Sequence, residues 1–412
     1  MRKLHLAGVI LCLMTGGAFA QASRLAIQSQ PAHDGMPGWH LGPSFPDPGG
    51  FTLVDADGTV HVIAREDRKN YRGAYGARGA NSVPNCSHSP MCGRTDGFKR
   101  GELARVEWDQ NMGYKFSYPY VVPKGIGGVP SVALDSKGYL WVLKRAPEGT
   151  SQLYKFDPDH KLVLSVPESV LGHLTKAHGM AVDSQDHVWV TDNGESIVME
   201  LSPEGKLLRT IGTRNHRGDW VESKGQRLLW QPVMIAFGPK GDIYIGEGHA
   251  NESPNDVGSD DPTNQDGVAR VIHLDKNGKF VGQWFGNEVG QGKFDSTHGL
   301  AVDPTNGDVW IGDREQYRIV IYTADGRFKK TLQMRNLVCA INFDHKGNPW
   351  MASGQDGQFL KLDRDGRVLG AVGNGMGIGH GQFIEASYWS FTPTDDLIAG
   401  DTSVGRVTVM SK

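Results

Sequence analysis

The sequence predicts an all-β protein, a propeller of repeated four-stranded blades, and three observations lead to that prediction. Short runs of β-branched and aromatic residues alternate with polar turns along the chain, which is the pattern of strands. Asp-Gly and Asn-Gly type turns recur between these runs and are typical of tight hairpins. The combined pattern returns about every 40 to 55 residues, as it does in propellers.

The clearest repeat covers residues 298–332. An apolar run at 300–302 leads through an Asp-Pro-Thr-Asn-Gly turn into a second run at 309–311. A third strand follows, and the Asp325-Gly326 turn joins it to a fourth. Because such a meander cannot bury both of its faces alone, it predicts further copies packed against it.

Seven stretches of the chain carry the same signal of apolar run, turn and apolar run. They begin at Phe51, Ser131, Gly179, Met234, Gly299, Ala340 and Tyr388. Seven blades are therefore counted, with six as the alternative if the unit at Phe51 is an N-terminal appendage. The last unit ends after three strands at Met410, and residues 24–29 are expected to supply its fourth strand and close the ring.

The first twenty residues have the features of a signal peptide. Arg2 and Lys3 precede an apolar core at 6–14, and Ala18-Phe19-Ala20 has the small-x-small form of a cleavage site. The mature chain, residues 21–412, is expected to be an exported single propeller domain, periplasmic or secreted. Two insertions interrupt it, at about 66–100 and 248–267.

Composition narrows the range of partners. The formal net charge is only -3, which gives no reason to expect nucleic acid or an anionic membrane surface. After the signal, no stretch approaches the roughly 20 apolar residues of a membrane helix. A small-molecule or peptide substrate is the expected partner, and the oligomeric state is open.

Three cysteines remain after the signal. Cys86 and Cys92 lie in the loop PNCSHSPMCG, where an oxidising compartment favours a local disulfide over a metal clip with His88. Cys339 stands outside this loop.

Equivalent positions of the repeats can be compared by counting back from each Asp or its counterpart. The resulting column is Gly50, Pro130, His178, Val233, His298, Cys339 and Ser387. Since equivalent residues of inner strands lie at one depth around the axis, His178 and His298 should point at one mouth of the channel. Converging imidazoles suit Zn²⁺ or a similar metal. Alternatively, each histidine is a hydrogen-bonded residue at a strand start.

Several motifs together resemble a known family. They are LWVLKR ending at Arg145, HGMAVD at His178, QPVMIAF followed by GEGH at His249, and HGLAVD with GDR at His298 and Arg314. The repeat resembles the NHL repeat. From Gly128 onward the chain resembles the six-bladed propeller of peptidyl-α-hydroxyglycine α-amidating lyase, which cleaves α-hydroxyglycine-extended peptides to a peptide amide and glyoxylate. The resemblance implies a metal-dependent carbon-nitrogen lyase.

The family uses three metal-binding histidines, and this chain departs from that pattern. The third should fall in the last unit, where Ser387 stands. Cys339, in the same column, could replace it because a thiolate is a good zinc donor. A small core residue is the alternative for Cys339. His380, in the GHGQF loop, is another candidate donor.

The resemblance also assigns roles to residues around the metal. It implies that Arg145 and Arg314 bind the substrate carboxylate, which a guanidinium can hold through two parallel hydrogen bonds. For Arg314, a structural polar pair with Asp313 is equally open. The family's tyrosine, the proton acceptor, falls at His249, and histidine can act as a general base near neutral pH.

Acidic residues divide into two groups. Four recur at equivalent strand ends and are interpreted as structural: Asp192, Glu247, Asp313 and Asp401. Others cluster in the second insertion, where they form a calcium site or, alternatively, a solvated lid. These are Asn251, Glu252, Asp256, Asp260, Asp261 and Asp266.

Two other function classes stay open beside the lyase. One is a non-catalytic NHL propeller that binds a peptide, a glycan or a small ligand on one face. The other is a propeller hydrolase such as a lactonase, which would need a carboxylate-rich calcium site on the axis.

Overall fold

The computed structural model describes residues 50–54, 60–64, 109–123, 127–248, 269–286, 294, 296–314, 318–334, 337–354, 357–374, 380–383, 385–402 and 404–412. Two strands, β1 (Gly50–Val54) and β2 (Val60–Ala64), form a separate hairpin. A 3-10 helix, Asp109–Gly113, precedes β3 (Lys115–Ser117).

Six four-stranded antiparallel sheets follow, and each is one blade. Blade 1 contains β4 (Ser131–Leu134), β5 (Leu140–Leu143), β6 (Leu153–Phe156) and β7 (Leu162–Val166). A short helix, α1 (Glu168–Leu171), leads to blade 2, which contains β8 (Ala177–Val182), β9 (Val188–Asp192), β10 (Ile197–Leu201) and β11 (Leu207–Gly212).

A small excursion separates blades 2 and 3. It holds β12 (Trp220–Val221), a 3-10 helix at Glu222–Lys224 and β13 (Gln226–Arg227). Blade 3 contains β14 (Pro232–Phe237), β15 (Ile243–Glu247), β16 (Arg270–Leu274) and β17 (Phe280–Trp284). Blade 4 contains β18 (Thr297–Val302), β19 (Val309–Asp313), β20 (Arg318–Tyr322) and β21 (Phe328–Gln333).

The last two blades complete the ring. Blade 5 contains β22 (Val338–Phe343), β23 (Pro349–Ser353), β24 (Gln358–Leu362) and β25 (Val368–Val372). Blade 6 contains β26 (Ala386–Phe391), β27 (Leu397–Asp401), β28 (Val404–Ser411) and β3. The first strand of each blade packs against the first strand of the next, and β26 packs against β4.

The core lies between the blades. In the described part of the chain six apolar clusters occur, and each joins residues of two neighbouring blades. The second strands of four blades each contribute a tryptophan that is at most 2% exposed: Trp141, Trp189, Trp310 and Trp350. Because alternate side chains of a strand point to opposite faces, each blade buries both faces only when it has two neighbours. The circular arrangement follows from that requirement.

The structure settles the blade number and the closing strand. The all-β propeller is confirmed, and six of the seven repeats form the ring, as in the six-bladed alternative. The unit at Phe51 forms the β1–β2 hairpin instead. The prediction that residues 24–29 close the ring is wrong, because Lys115–Ser117 takes that edge and pairs with 409–411 of β28. Those earlier residues, the 1–20 signal and both insertions lie outside the described residues, apart from Gly248 at the edge of the second.

No helix within the described ranges has the length and apolar content to cross a bilayer.

Candidate functional site

A β-bulge recurs at one place in the inner strands. The register between first and second strands shifts near the start of β8, β14, β18, β22 and β26. The residues inside these bulges are His178 with Gly179, Val233, His298, Cys339, and Ser387 with Tyr388. A bulge bends its strand and redirects the side chain at that point. The column predicted from the sequence therefore coincides with a structural irregularity at one end of the inner strands.

The structure brings His178 and His298 together. Their strands, β8 and β18, belong to blades 2 and 4, and their ring centroids are 4.8 Å apart with the planes inclined by 69°. Both residues are buried, at 4% and 3% exposure. Two imidazoles separated by 120 positions in the sequence thus meet at the axis.

A hydrogen bond fixes the orientation of each imidazole. The Nδ1 atom of His178 lies 3.0 Å from the carbonyl oxygen of Val233, and Nδ1 of His298 lies 2.5 Å from that of Cys339. Each carbonyl belongs to the bulge of the next blade. Since a carbonyl only accepts, Nδ1 carries the proton and the Nε2 atom of each neutral ring carries the lone pair. This is the tautomer that a metal ligand needs.

The spacing of the two rings suits a shared ion. Imidazoles bound to one zinc through Nε2 at ~2.1 Å, at a tetrahedral angle, would have ring centroids about 5 Å apart. The centroids of His178 and His298 are 4.8 Å apart. The donor set therefore fits two positions of a metal site.

Tyr388 is the third ring at the axis, and sequence reasoning missed it. Its ring stacks on His298 at 5.7 Å and meets His178 edge-on at 5.6 Å. Its hydroxyl donates to the carbonyl of His298 at 2.7 Å. Burial raises the pKa of Tyr388 well above 10, so the phenol is neutral at physiological pH. Blade 6 thus contributes a neutral phenol next to the two imidazoles.

The candidate third donors are placed differently. A side chain at Gly354 would bring its Cβ within 2.4 Å of the Cys339 sulfur and 3.0 Å of the Ala386 carbonyl oxygen. Cys339, Ala386 and Tyr388 belong to one buried cluster, so the thiol is packed in the core next to a ring of the axial site, and its role as a third donor stays a prediction. His380 contacts Phe116 on the outermost strand of blade 6, so the structure does not bring it to the axial pair.

Both predicted arginines lie at the axial site. The Nε atom of Arg145 donates to the carbonyl of Ala177, the residue before His178, at 2.9 Å. Arg314 is 2% exposed, and its Nη2 lies 3.7 Å from Glu385. Both guanidinium groups favour the ionised form of Tyr388 electrostatically, which lowers its pKa against the larger effect of burial. Both cations are therefore close enough to Tyr388 to act on it electrostatically.

The structural interpretation of the strand-end carboxylates agrees with their contacts. Each accepts the backbone N–H of a residue shortly before the inner strand of its own blade. The acceptors are Asp192 for Lys176, Glu247 for Trp230, Asp313 for Ser296 and Asp401 for Glu385. Asp313 also accepts a hydrogen bond from Arg318 at 2.7 Å. These carboxylates hold the chain segments that lead to the axial bulges.

One further group of possible metal ligands is already occupied by hydrogen bonds and ion pairs within blade 2. Among the described residues, a single set of three or more His, Cys, Asp or Glu donors lies within 4.8 Å of one another, namely Asp183, His187 and Glu200. His187 Nδ1 is 2.7 Å from Glu200, which also pairs with Arg209. Asp183 accepts the indole N–H of Trp189 at 2.9 Å. Their lone pairs are used within blade 2.

His249 and the acidic insertion lie outside the described residues, so their roles stay predictions. Gly248, the residue before His249, is described, and a side chain there would place its Cβ 3.3 Å from the Cα of Ser296. The chain therefore leaves β15 beside the segment that leads to His298.

Relatives of known name support the resemblance. The chain is 28% identical over 235 residues to peptidylglycine alpha-amidating monooxygenase of Rattus norvegicus, which covers 50% of this chain and 21% of that protein. It is 24% identical over 163 residues to peptidyl-alpha-hydroxyglycine alpha-amidating lyase 1 of Drosophila melanogaster, which covers 37% of this chain and 26% of that protein. The matches thus span less than a third of either relative. They confirm that the chain resembles amidating enzymes. No protein-family model matches the sequence.

The fold has solved counterparts. A gluconolactonase from Xanthomonas campestris superposes with a TM-score of 0.51 at 16% identity, covering 74% of this chain and 93% of that one. This likeness concerns the propeller fold alone.

Proposed function

We propose that this protein is an exported metal-dependent lyase that cleaves the C–N bond of an α-hydroxyglycine-like substrate to an amide and glyoxylate. The observation that carries the proposal is the axial pair. His178 and His298 meet at 4.8 Å, and both rings have Nδ1 bonded to a backbone carbonyl. The resemblance to amidating enzymes supplies the reaction type.

Zinc is the metal that we propose for the axial histidine pair. His178 and His298 would hold a zinc ion through Nε2, and a zinc ion there would polarise the hydroxyl or carbonyl oxygen of the substrate. Two protein ligands are fewer than the three of most catalytic zinc sites. Cys339 is the proposed third donor, since its thiol is buried in the same cluster as Tyr388 of the axial site.

The residues around the pair would position the substrate. Arg145 and Arg314 would hold its carboxylate, since each guanidinium offers parallel N–H donors. The hydroxyl proton of the substrate has to leave its oxygen and a proton has to reach the departing nitrogen. His249 is predicted from its position in the sequence to be the residue that transfers the proton.

Two alternative functions fit less well. A propeller hydrolase of the lactonase type would need carboxylates on the axis, whereas the bulges described here carry imidazoles, a phenol, a hydroxyl, a thiol and apolar groups. A non-catalytic propeller would explain the hydrogen bond of each histidine but would give the meeting of His178 and His298 at the axis no chemical use.

We also propose that the protein is exported. This proposal rests on the signal-peptide features of residues 1–20, which lie outside the described residues. Amino-terminal sequencing of the mature protein should give a chain that starts near Gln21.

Metal content and glyoxylate release test the function. Purified protein should contain close to one zinc per chain and release glyoxylate from α-hydroxyhippurate. The His178→Ala/His298→Ala variant should lose both the zinc and the activity. His345→Ala, which alters an exposed histidine paired with Asp395, is the matched control and should retain both. Zinc without glyoxylate would remove the lyase assignment and keep the metal site; absence of zinc from active protein would remove the metal.

A further inference from the structure

Three buried polar side chains lie at the same mouth as the axial pair and have hydrogen-bonding atoms without partners. They are Asn193, Gln231 and Ser296, which are 0%, 2% and 3% exposed. Within the described part of the chain, neither the Oδ1 nor the Nδ2 atom of Asn193 has a hydrogen-bond partner, and the same holds for Oε1 of Gln231 and Oγ of Ser296. We call these three residues the polar arc.

The register of the ring places the polar arc. In several blades the residue after the second strand donates its backbone N–H to the residue shortly before the first strand. Asn193 donates to Lys176 in blade 2, as Arg145 donates to Gly128 in blade 1 and Arg314 to Ser296 in blade 4. Asn193 is therefore the blade 2 equivalent of the two arginines.

Side chains at this ring position face the next blade. Arg145 reaches the carbonyl of Ala177 in blade 2, and a side chain at Gly248 would face Ser296 in blade 4. By the same register Asn193 faces the segment before β14, where Gln231 lies. The polar arc thus runs across blades 2, 3 and 4, between the strands that carry the two axial histidines.

Unpartnered buried polar atoms indicate a missing ligand. Nearly all such atoms in folded proteins have a hydrogen-bond partner, and a buried atom without one destabilises the folded protein. The polar arc offers a donor, the Nδ2 amide of Asn193, two acceptors, Oδ1 of Asn193 and Oε1 of Gln231, and the Ser296 hydroxyl, which can donate or accept. A carboxylate would leave the acceptors unused. A secondary amide, with one N–H and one C=O, uses both kinds of atom.

We propose that the polar arc binds the amide group of an N-acylated substrate whose carboxylate is held by Arg145 and Arg314, with Asn193 as the main contact. This inference rests on the proposed function and adds its specificity: the site recognises the acyl-amide linkage as well as the carboxylate.

A pair of ligands that do not turn over tests the inference. Hippurate has a carboxylate and a secondary amide, and 3-benzoylpropionate replaces the N–H by CH₂. By calorimetry the unaltered protein should bind hippurate about 10-fold more tightly. Asn193→Ala should weaken hippurate binding about 10-fold, a change of about 1.4 kcal/mol, and should weaken 3-benzoylpropionate binding less, because that ligand lacks the N–H that Oδ1 of Asn193 accepts. Asn277→Ala, in the turn between β16 and β17, is the matched control and should change neither.

Thermal unfolding separates ligand binding from a structural role. Because Asn193→Ala removes unpaired atoms, the ligand-free variant should melt at the same or a higher temperature than the unaltered protein. A lower melting temperature with an unchanged preference for hippurate would make Asn193 structural and overturn the inference, as would tighter binding of gluconate than of hippurate. Since hippurate lacks the α-hydroxyl, its binding can be positive even if glyoxylate never forms. Glyoxylate release that is unaffected by Asn193→Ala would remove the inference alone.

Discussion

Asp192 shows at the scale of one residue how the approach to the axis is held. Its Oδ1 atom accepts the backbone N–H groups of Lys176 and Glu195, at 3.1 and 3.0 Å, while Oδ2 is buried without a hydrogen-bond partner in the described structure. Burial raises the pKa of Asp192 from 3.8 to about 6, and the nearby carboxylate of Glu195 adds to that effect. At neutral pH the buried Asp192 carboxylate is therefore charged, and its hydrogen bonds compensate only part of the cost of burying that charge.

The Asp192→Asn variant should be more stable than the unaltered protein at pH 7. The folded-state pKa is the higher one, so Asp192 destabilises the folded protein above pH 6 and this effect disappears as the pH falls toward 4. The gain at pH 7 should be about 2 to 3 kcal/mol, because the amide oxygen still accepts the two N–H groups while the buried charge is gone.

Urea unfolding at a series of pH values measures this effect. The stability difference between variant and unaltered protein should shrink from pH 7 to pH 4. Asp275→Asn is the control, because its carboxylate is exposed in a turn and its pKa is lowered by N–H groups. A loss of stability at pH 7 in Asp192→Asn would show that the charged form is needed by its partners.

The sequence predicts some of the axial residues and not others, for a physical reason. His178 and His298 were predictable because repeat spacing alone sets the depth of a residue along an inner strand. Tyr388 was not, because it stands one position after the column residue Ser387, and its ring reaches the two imidazoles from there. Asn193 gave no signal at all, since an unpaired buried atom is visible only in three dimensions.

At the scale of the strand, Gly179 is the element that lets β8 and β14 approach each other. A Cβ at this position would lie 2.2 Å from the carbonyl oxygen of Val233 and 2.9 Å from the sulfur of Met234. That same carbonyl accepts hydrogen bonds from His178 and Thr191. The close approach of the two strands is thus a condition for the orientation of the imidazole.

Gly179→Ala should therefore reduce both stability and metal binding. Overpacking at such a contact costs about 1 to 3 kcal/mol, and the shift of Val233 would break the bond that holds His178. Gly282→Ala is the matched control, because a Cβ there meets nothing within 4 Å and this glycine also lies in a strand. Melting temperature and zinc content are the measurements. Equal behaviour of the two variants would mean that the strand contact does not hold the site.

At the scale of the whole molecule, the sequence predicts the repeat but not how the ring is closed. Each blade could be recognised because at least three of its strands follow one another in sequence with hairpin turns between most of them. The partner of β28 could not, because pairing between the two ends of a ring leaves no periodic trace in the sequence. Lys115–Ser117 is only three residues long and follows a 3-10 helix, so it resembles a loop when only local pattern is considered.

A disulfide between β3 and β28 should stabilise the folded protein. Lys115 and Ser411 are directly opposed on β3 and β28, so cysteines at both positions would lie close enough for a disulfide. The bridge would enclose about 300 residues, and a loop of that length removes much of the freedom of the unfolded chain. The oxidised Lys115→Cys/Ser411→Cys variant should gain about 2 to 4 kcal/mol in free energy of unfolding.

The reduced form of this variant and the two single variants should unfold like the unaltered protein. Because all six interfaces depend on one another, the gain should appear as a later, still single transition. An oxidised variant that unfolds in two steps, or at the same temperature as its reduced form, would mean that the ring does not close through β3.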